Sequence, residues 1–193
     1  MCAPMNKGRM LLWWCGVLAA GIASSGCKKR SPLDVASVNA LVPVKYKYKL
    51  EFEAAEITGG THRRVTYVVP VPKHWTVDDR VGMAAPTDKL ANGDATMWVH
   101  SSCDEEPCRP SDWNVAIDEE LKLLDVLKDE RGDHRRVVAV KSALPNRPGI
   151  AVKVYWWTDG ASEFHACEAS LGPGLEDAAP AFQKACELAI VRE

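Results

Sequence analysis

The segment Ile150-Ala-Val-Lys-Val-Tyr-Trp-Trp-Thr158, followed by Asp159-Gly160, decides the fold class of this chain. Its β-branched and aromatic residues favour a strand, and Asp-Gly favours a two-residue hairpin turn. That turn places Val152 opposite Cys167 on the returning strand. Because side chains alternate between the faces of a sheet, one face carries Val152, Val154, Trp156 and Cys167, and the other carries Lys153, Tyr155, Trp157 and Phe164. Large apolar groups on both faces predict that other elements cover both.

Two helices are predicted from apolar residues at helical spacing. The first runs from Asp112 to Arg131 and ends at Gly132. The second runs from Leu175 to Arg192, with Pro180 in its first turn, where a missing N–H does no harm. These helices are the expected covers of the two sheet faces.

Four further strands complete the predicted sheet. Val44 to Ala54 alternates apolar and charged residues without a break, which is the strongest period-two pattern in the chain. Gly59-Gly60 permits a turn into a second strand, Thr61 to Val71, and two more strands are predicted at Ala95 to His100 and Arg136 to Lys141. The order β-β-β-α-β-β-β-α predicts an α+β domain, with a mainly antiparallel sheet and one helix on each face (an α/β/α sandwich).

The first 26 residues have the composition of a signal peptide. Lys7 and Arg9 supply a basic start, and Leu11 to Ala23 is an apolar run of 13 residues. A membrane-spanning helix needs about 20 apolar residues. A basic start and a short apolar core followed by small residues are typical of a cleaved export signal.

The stretch Ala23-Ser24-Ser25-Gly26-Cys27 resembles the lipobox of bacterial lipoproteins, in which small residues precede a cysteine. The resemblance implies that the Cys27 thiol receives a diacylglycerol and that the chain is cut before Cys27. It also implies, through Lys28, sorting to the outer membrane, facing the periplasm. Ser24 stands where the lipobox usually has leucine. Two alternatives therefore stay open: cleavage after Ala23, which leaves a secreted soluble protein, and an uncleaved anchor.

The expected mature chain divides into a lipidated, flexible tether at 27–43 and a single globular domain at 44–193. About 150 residues suffice for one domain with a substantial core. The mature chain holds 22 basic and 26 acidic residues, and this excess of acid argues against a general nucleic-acid binder. The expected partners are the membrane, through the lipid on Cys27, and an envelope protein or small ligand.

Four cysteines lie in the globular part, namely Cys103, Cys108, Cys167 and Cys186. An even number in an oxidising compartment favours two disulfides, although four cysteines allow three pairings. We expect Cys103–Cys108 to tie off a polar loop. We expect Cys167–Cys186 to join a buried sheet face to the buried stripe of the last helix. Cys27 is then the one mature cysteine left over, which favours its lipidation.

The strand that runs into Pro72-Lys73-His74-Trp75, together with the element order, resembles the PsbP-type α/β/α sandwich. That fold occurs in photosystem extrinsic proteins and in many bacterial lipoproteins. The position before the tryptophan is often glycine in such proteins and is His74 here. The resemblance implies a fold over residues 44–192 and no catalytic residues, because this fold hosts several unrelated roles.

No catalytic motif stands out, and neither catalytic residues nor a cofactor is predicted. The chain contains no Gly-x-Ser-x-Gly, Walker loop, dinucleotide fingerprint or His-Glu-x-x-His. The alternative is a zinc site at His100, Cys103 and Cys108, with a fourth ligand from His165-Ala-Cys167. A Cys103–Cys108 disulfide removes two of those ligands and is the preferred interpretation.

Four tryptophans have two interpretations: they line a ligand cavity, or they are core residues, which is preferred. They are Trp75, Trp98, Trp156 and Trp157. The preferred function is a lipid-anchored envelope lipoprotein with a non-enzymatic binding or assembly domain. The alternative is a metal-dependent or hydrolytic envelope enzyme that uses His100 and the carboxylates of residues 104–106.

Overall fold

The described chain contains two antiparallel sheets. A computed structural model describes residues 33–60, 63–87, 95–102, 110–141, 149–158 and 163–192. The strands in chain order are β1 (Phe52–Gly59), β2 (Val65–Pro72), β3 (Trp75–Asp78), β4 (Met83–Pro86), β5 (Thr96–Ser102), β6 (Asp125–Arg131), β7 (Arg135–Lys141), β8 (Ile150–Trp156), β9 (Phe164–Leu171) and β10 (Ile190–Val191). One sheet has the order β1-β2-β10, and the other has the order β3-β4-β5-β9-β8-β7-β6.

Three α-helices accompany the sheets in the described residues. They are α1 (Val35–Ala40), α2 (Pro110–Leu121) and α3 (Ala179–Glu187), and short 3-10 helices lie at Val44–Tyr46 and Glu176–Ala178. Pro180 sits in the first turn of α3, as predicted. The coarse prediction of an α+β domain with mainly antiparallel sheets is confirmed.

The β8–β9 pair that decided the fold class is present, with its register moved by two residues. Val152 pairs with Ala169, and Cys167 pairs with Val154 instead of Val152. The predicted two-residue turn at Asp159-Gly160 lies outside the described residues. A shift of two leaves every side chain on its predicted face, because the strand period is two.

Each face of the large sheet carries its own core. The first core contains 26 buried residues, including Val154 and Cys167 from the sheet, Phe182 from α3 and Val38 from α1. The second core contains seven buried residues among those described, namely Ile117, Leu121, Val138, Val140, Tyr155, Trp157 and Ala166. Alternation along β8 sends Val154 to the first core and Tyr155 to the second, so both faces are covered, as the sequence predicted.

The finer prediction of one helix per face is not met. The first core is enclosed by α1, α3 and the three-stranded sheet together, since β2 contributes Tyr67 and Val69 to it. The element order also differs from β-β-β-α-β-β-β-α. A helix precedes β1, two short strands (β3 and β4) precede β5, and β6 and β10 are additional strands.

The segment Val44 to Ala54, predicted as one long strand, is a strand only from Phe52 onward. Residues 44–46 form a 3-10 helix, and the backbone N–H of Leu50 donates to the Tyr46 carbonyl at 2.9 Å. Val44 and Tyr48 are 81% and 78% exposed, so their alternation with lysines does not mark a buried face. Period-two patterning produces a strand only where a neighbouring strand pairs with it, and within Val44 to Ala54 β2 pairs only with residues 52–54.

The helix predicted for Asp112 to Arg131 ends at Leu121, and Asp125–Arg131 forms the edge strand β6. Pairing with β7 overrides the helical spacing. The strand also brings Asp129 to the buried guanidinium of Arg136, at 2.8 Å from Oδ1 to Nε. A buried cation needs such a partner. Contacts with distant residues, and not the local sequence pattern, therefore determine that residues 125–131 form a strand.

The predicted hairpin of the first two strands is present as β1 and β2, with Gly59 opposite Val65. Gly59 lies against β5, where an added Cβ would be 2.0 Å from the Val99 carbonyl oxygen. Pro70 and Pro72 continue β2 instead of stopping it. Their backbone nitrogens lie on the β10 side of β2, as the bond from Arg192 N to the Thr66 carbonyl indicates. The missing N–H groups are tolerated because β10 pairs only with Tyr67 and Val68 and does not reach the prolines.

The turn between β2 and β3 contains His74 with φ 68°, the left-handed region that favours glycine. This is the position where the PsbP-type pattern often has glycine. The backbone here adopts a conformation that suits glycine although the residue is histidine.

The predicted tether at 27–43 is too long at its C-terminal end. Val38 and Val42 are buried in the first core, and Asn39 exchanges two hydrogen bonds with the backbone of Phe52, at 2.7 and 3.0 Å. Residues 32–193 form one compact unit. Within the described ranges, no helix has both the length and the apolar character needed to cross a membrane.

Candidate functional site

The predicted disulfide between Cys167 and Cys186 is present. Both residues are buried, and the bond joins β9 to α3 across 19 positions of sequence. The other predicted pair, Cys103–Cys108, lies outside the described residues, as does Cys27.

His100, the centre of the alternative zinc site, lies on β5 opposite Ala166 of β9. His165 pairs with Ser101, one position along, so His165 and His100 project to opposite faces of the sheet. Cys167 is also consumed by its disulfide. Neither His165 nor Cys167 therefore joins His100 in the structure, and the other two predicted ligands, Cys103 and Cys108, lie outside the described residues. Across the described part of the chain, no three histidine, cysteine or acidic side chains gather as a metal site.

The four tryptophans do not meet around one cavity. Trp75 and Trp156 pack in or against the first core, Trp157 is buried in the second core, and Trp98 is 37% exposed on β5. Trp75 stacks at a tilt on Phe182, with 5.7 Å between ring centroids. The sheet separates Trp156 from Trp157, which supports the preferred core interpretation over a shared cavity.

A polar cluster joins the small sheet to the large one inside the first core. The Tyr67 hydroxyl on β2 lies 3.1 Å from Nδ1 of His165 on β9. Ser101 on β5 donates its hydroxyl to the Arg63 carbonyl at 3.1 Å. The ring of Trp156 packs against both Tyr67 and His165, with centroids 6.1 and 5.6 Å away.

Burial controls the ionisation of this cluster. It raises the pKa of Tyr67 well above its usual range and lowers the pKa of His165 below its usual range. Both side chains are therefore neutral near pH 7. Tyr67 and Ser101 are buried at 0% and 2% exposure, so a substrate cannot reach the serine hydroxyl in this conformation. The cluster acts as a polar connection between two sheets.

A second polar cluster surrounds the side chain of Arg136, which is fully buried on the α2 side of the large sheet. Its Nε and Nη2 donate to the two carboxylate oxygens of Asp129 at 2.8 and 2.9 Å. Nη2 also donates to Asp118 on α2 at 2.6 Å, and Nη1 donates to the Asn114 carbonyl at 3.3 Å. Arg131 adds a further ion pair to each carboxylate. These bonds attach α2 and β6 to β7.

The Arg136 guanidinium holds the pKa values of Asp118 and Asp129 below their usual range through hydrogen bonds, and burial opposes that effect. Both carboxylates are therefore charged at neutral pH. The donors of the guanidinium are directed at protein acceptors, so the cluster has the arrangement of a structural ion-pair network.

A shallow depression of about 250 Å³ lies near this network, lined by Glu130, Arg131, Gly132, Arg135, Val137 and Glu187. Nη2 of Arg135 is 3.4 Å from Oε1 of Glu187, without the alignment of a hydrogen bond. Its lining carries two arginines and two glutamates. The balanced charge gives the depression no clear preference for an anion or a cation.

The most distinctive exposed feature is the turn surface, which we define as Leu41, Val44, Lys47, Tyr48 and Lys49. All except Lys49 are exposed, and Lys49 is partly exposed. The Lys49 ammonium lies 5.4 Å from the centre of the Tyr48 ring. Apolar, aromatic and basic side chains thus share one short stretch of the surface.

Sequence reasoning missed both buried polar clusters. For Arg136 a signal exists, because it has the same strand parity as Val138 and Val140, which both face the second core. A basic residue at an inward position predicts buried acidic partners. Tyr67 and His165 gave no such signal, because they meet only when the two sheets pack together.

No family model matches this chain, and no curated protein is significantly similar to it.

Proposed function

We propose that this protein is a lipid-anchored envelope lipoprotein, with its lipid on Cys27, and that its α+β domain is a non-enzymatic binding or assembly module. The observation that carries the proposal is the buried Cys167–Cys186 disulfide. Such bonds persist in oxidising compartments outside the cytosol. This agrees with the basic, apolar and small-residue pattern that leads to Cys27.

The module role is supported by the location of the polar side chains. Ser101, Tyr67 and Arg136 are buried and engaged with protein atoms, which suits stabilisation of the fold. The turn surface instead presents apolar and basic side chains outward, which suits contact with another surface. Sorting to the outer membrane through Lys28 is part of the same proposal.

We also propose that the domain is a variant of the PsbP-type α/β/α sandwich. Support comes from the turn at Pro72–Trp75, where His74 occupies a backbone conformation that favours glycine. Further support comes from the two cores on opposite faces of the large sheet, to which α2 and α3 contribute.

Replacement of the anchor residue tests the proposal. In a bacterial host that processes lipoproteins, we expect wild-type protein in the membrane fraction and Cys27→Ser in the soluble fraction. Cys15→Ser, inside the predicted signal, is the matched control and should behave as wild type. Membrane retention of Cys27→Ser would instead indicate an uncleaved anchor, and soluble wild-type protein would indicate cleavage after Ala23.

A further inference from the structure

Most of the turn surface lies on the three-residue 3-10 helix Val44–Tyr46 and the turn that follows it. Hydrogen bonds from Lys47 N to the Val44 carbonyl and from Leu50 N to the Tyr46 carbonyl give this segment helical turns. Residues four apart then share a side. Tyr46 and Leu50 lie on the inner side, with Leu50 1% exposed, and Val44 and Tyr48 lie on the outer side.

Contacts with the domain hold this segment in place. The Tyr46 hydroxyl donates to the Gly174 carbonyl, and Lys45 pairs with Asp177 at 2.5 Å. Val42 and Leu50, on either side of the turn, are buried in the first core. The folded domain therefore holds the backbone of Val44 and Tyr48 with both side chains outward. This backbone need not become ordered when a partner binds.

Charge is distributed very unevenly between this end of the chain and the rest. Residues 27–50 contain six basic side chains and one acid, whereas residues 51–193 contain 16 basic and 25 acidic side chains. Lys45 is neutralised locally by Asp177, and the nearby Glu51 is paired with Lys73 at 2.5 Å. Lys47, which is exposed, thus contributes positive charge to the turn surface itself.

The distance along the chain favours a membrane as the occupant. Leu33, the first described residue, is six positions after Cys27, and a fully extended chain of that length covers only about 20 Å. A lipid on Cys27 therefore keeps the start of the domain close to the bilayer. Tyrosine and apolar side chains beside lysines are the composition that binds the interface of an anionic bilayer.

We propose that the turn surface docks on an anionic phospholipid bilayer, so that Val44 and Tyr48 enter the head-group region while Lys47 contacts lipid phosphates. The role of this contact as an orienting device rests on the proposed lipid anchor, but the contact itself is a property of the folded chain.

The test removes the anchor so that the contact is measured alone. The mature chain, residues 27–193 with Cys27→Ser, is sedimented with vesicles of phosphatidylcholine, either alone or with added phosphatidylglycerol. We expect binding only to vesicles that contain phosphatidylglycerol. Lys47→Glu/Tyr48→Ser should weaken it by about tenfold, since each lysine near an anionic surface contributes about one decade or slightly less.

The matched control is Lys122→Glu/Leu123→Ser, which makes the same kind of change at another exposed site. Leu123 is 84% exposed and the Lys122 side chain is 65% exposed. This control should bind as the parent does. Equal binding to both vesicle types, or full binding by Lys47→Glu/Tyr48→Ser, would overturn the proposal; the second result would assign the affinity to Lys28, Lys29 and Arg30. Neither result depends on whether Cys27 is lipidated.

Discussion

Among the described residues, the first core of the large sheet is large, apolar and cross-linked by a disulfide. The second core is smaller, and buried ion pairs help to hold it together. In the first, 26 buried residues come from α1, α3, both sheets and the segments that connect them, and they include Cys167 and Cys186, which form a disulfide. In the second, α2 contributes Ile117 and Leu121, and the Arg136 network supplies further attachment. A helix that contributes few apolar residues to a core can thus be attached by ion pairs to a buried cation. Its attachment then requires that the acidic partners of that cation stay charged.

The largest effect is expected from Arg136→Met. Loss of the guanidinium removes the buried partner that Asp118 and Asp129 share and leaves them with the more exposed Arg131. Removal of one member of a buried ion pair typically costs about 3–5 kcal/mol. Chemical denaturation measures this free energy of unfolding. Arg135→Met, the next residue on the same strand, is the control and should cost less than about 1 kcal/mol because its side chain is partly exposed. Equal losses for the two variants would refute the special role of Arg136.

Removal of the disulfide tests the first core. Cys167→Ala/Cys186→Ala should lower the free energy of unfolding by about 3 kcal/mol, the chain-entropy value for a loop of this size. The fold should persist because the apolar burial around the bond remains. If the double variant fails to fold, the first core depends on its cross-link more than its apolar burial indicates.

Acid should weaken the second core before the first. The pKa values of Asp118 and Asp129 are lowered by Arg136 in the folded state. As pH falls, the unfolded chain therefore takes up protons near the ordinary aspartate pKa of about 4, while the folded chain resists. Stability from these carboxylates is present above that pH and is lost as pH falls through the lowered pKa values. Hydrogen exchange should show α2 opening first, and Arg136→Met should lose stability less steeply between neutral and acid pH. Parallel pH profiles for wild type and variant would contradict this.

The smallest effect is expected in the turn before β3, which enters the first core through Trp75. His74→Gly relieves a positive φ, and it should raise the free energy of unfolding by up to about 1 kcal/mol, offset in part by the greater entropy of unfolded glycine. His74→Val, at the same site, should be destabilising because a β-branched residue disfavours this conformation. Thermal unfolding ranks the three proteins. A glycine variant less stable than wild type would show that the imidazole makes a compensating contact.

The same two regions show what the sequence could and could not predict. The central pair β8 and β9 was predictable, because β-branched and aromatic runs carry large apolar groups to both faces, and so was the Cys167–Cys186 bond between a buried strand position and a buried helix position. The split of residues 112–131 into α2 and β6 was not, because it is set by pairing with β7 and by the requirement of Arg136 for Asp129.

The alternation of apolar and charged residues from Val44 to Ala54 predicted too long a strand for a related reason. Val44 to Lys49 has strand periodicity, but β2 has no residues left to pair with it, so the segment turns and its outer side chains stay exposed. The local sequence pattern therefore identified the strands that have a neighbouring strand to pair with. It missed the sites where a distant partner decides the structure, including the Tyr67–His165 connection.

Both cores belong to a domain whose proposed role depends on attachment at Cys27, and mass spectrometry of the mature N-terminal peptide tests that attachment most directly. The proposal predicts that the protein begins at Cys27 and that this residue carries the added mass of a diacylglycerol, with or without a further acyl chain on its amino group. An unmodified Cys27, or a chain that begins at Ser24, would contradict it.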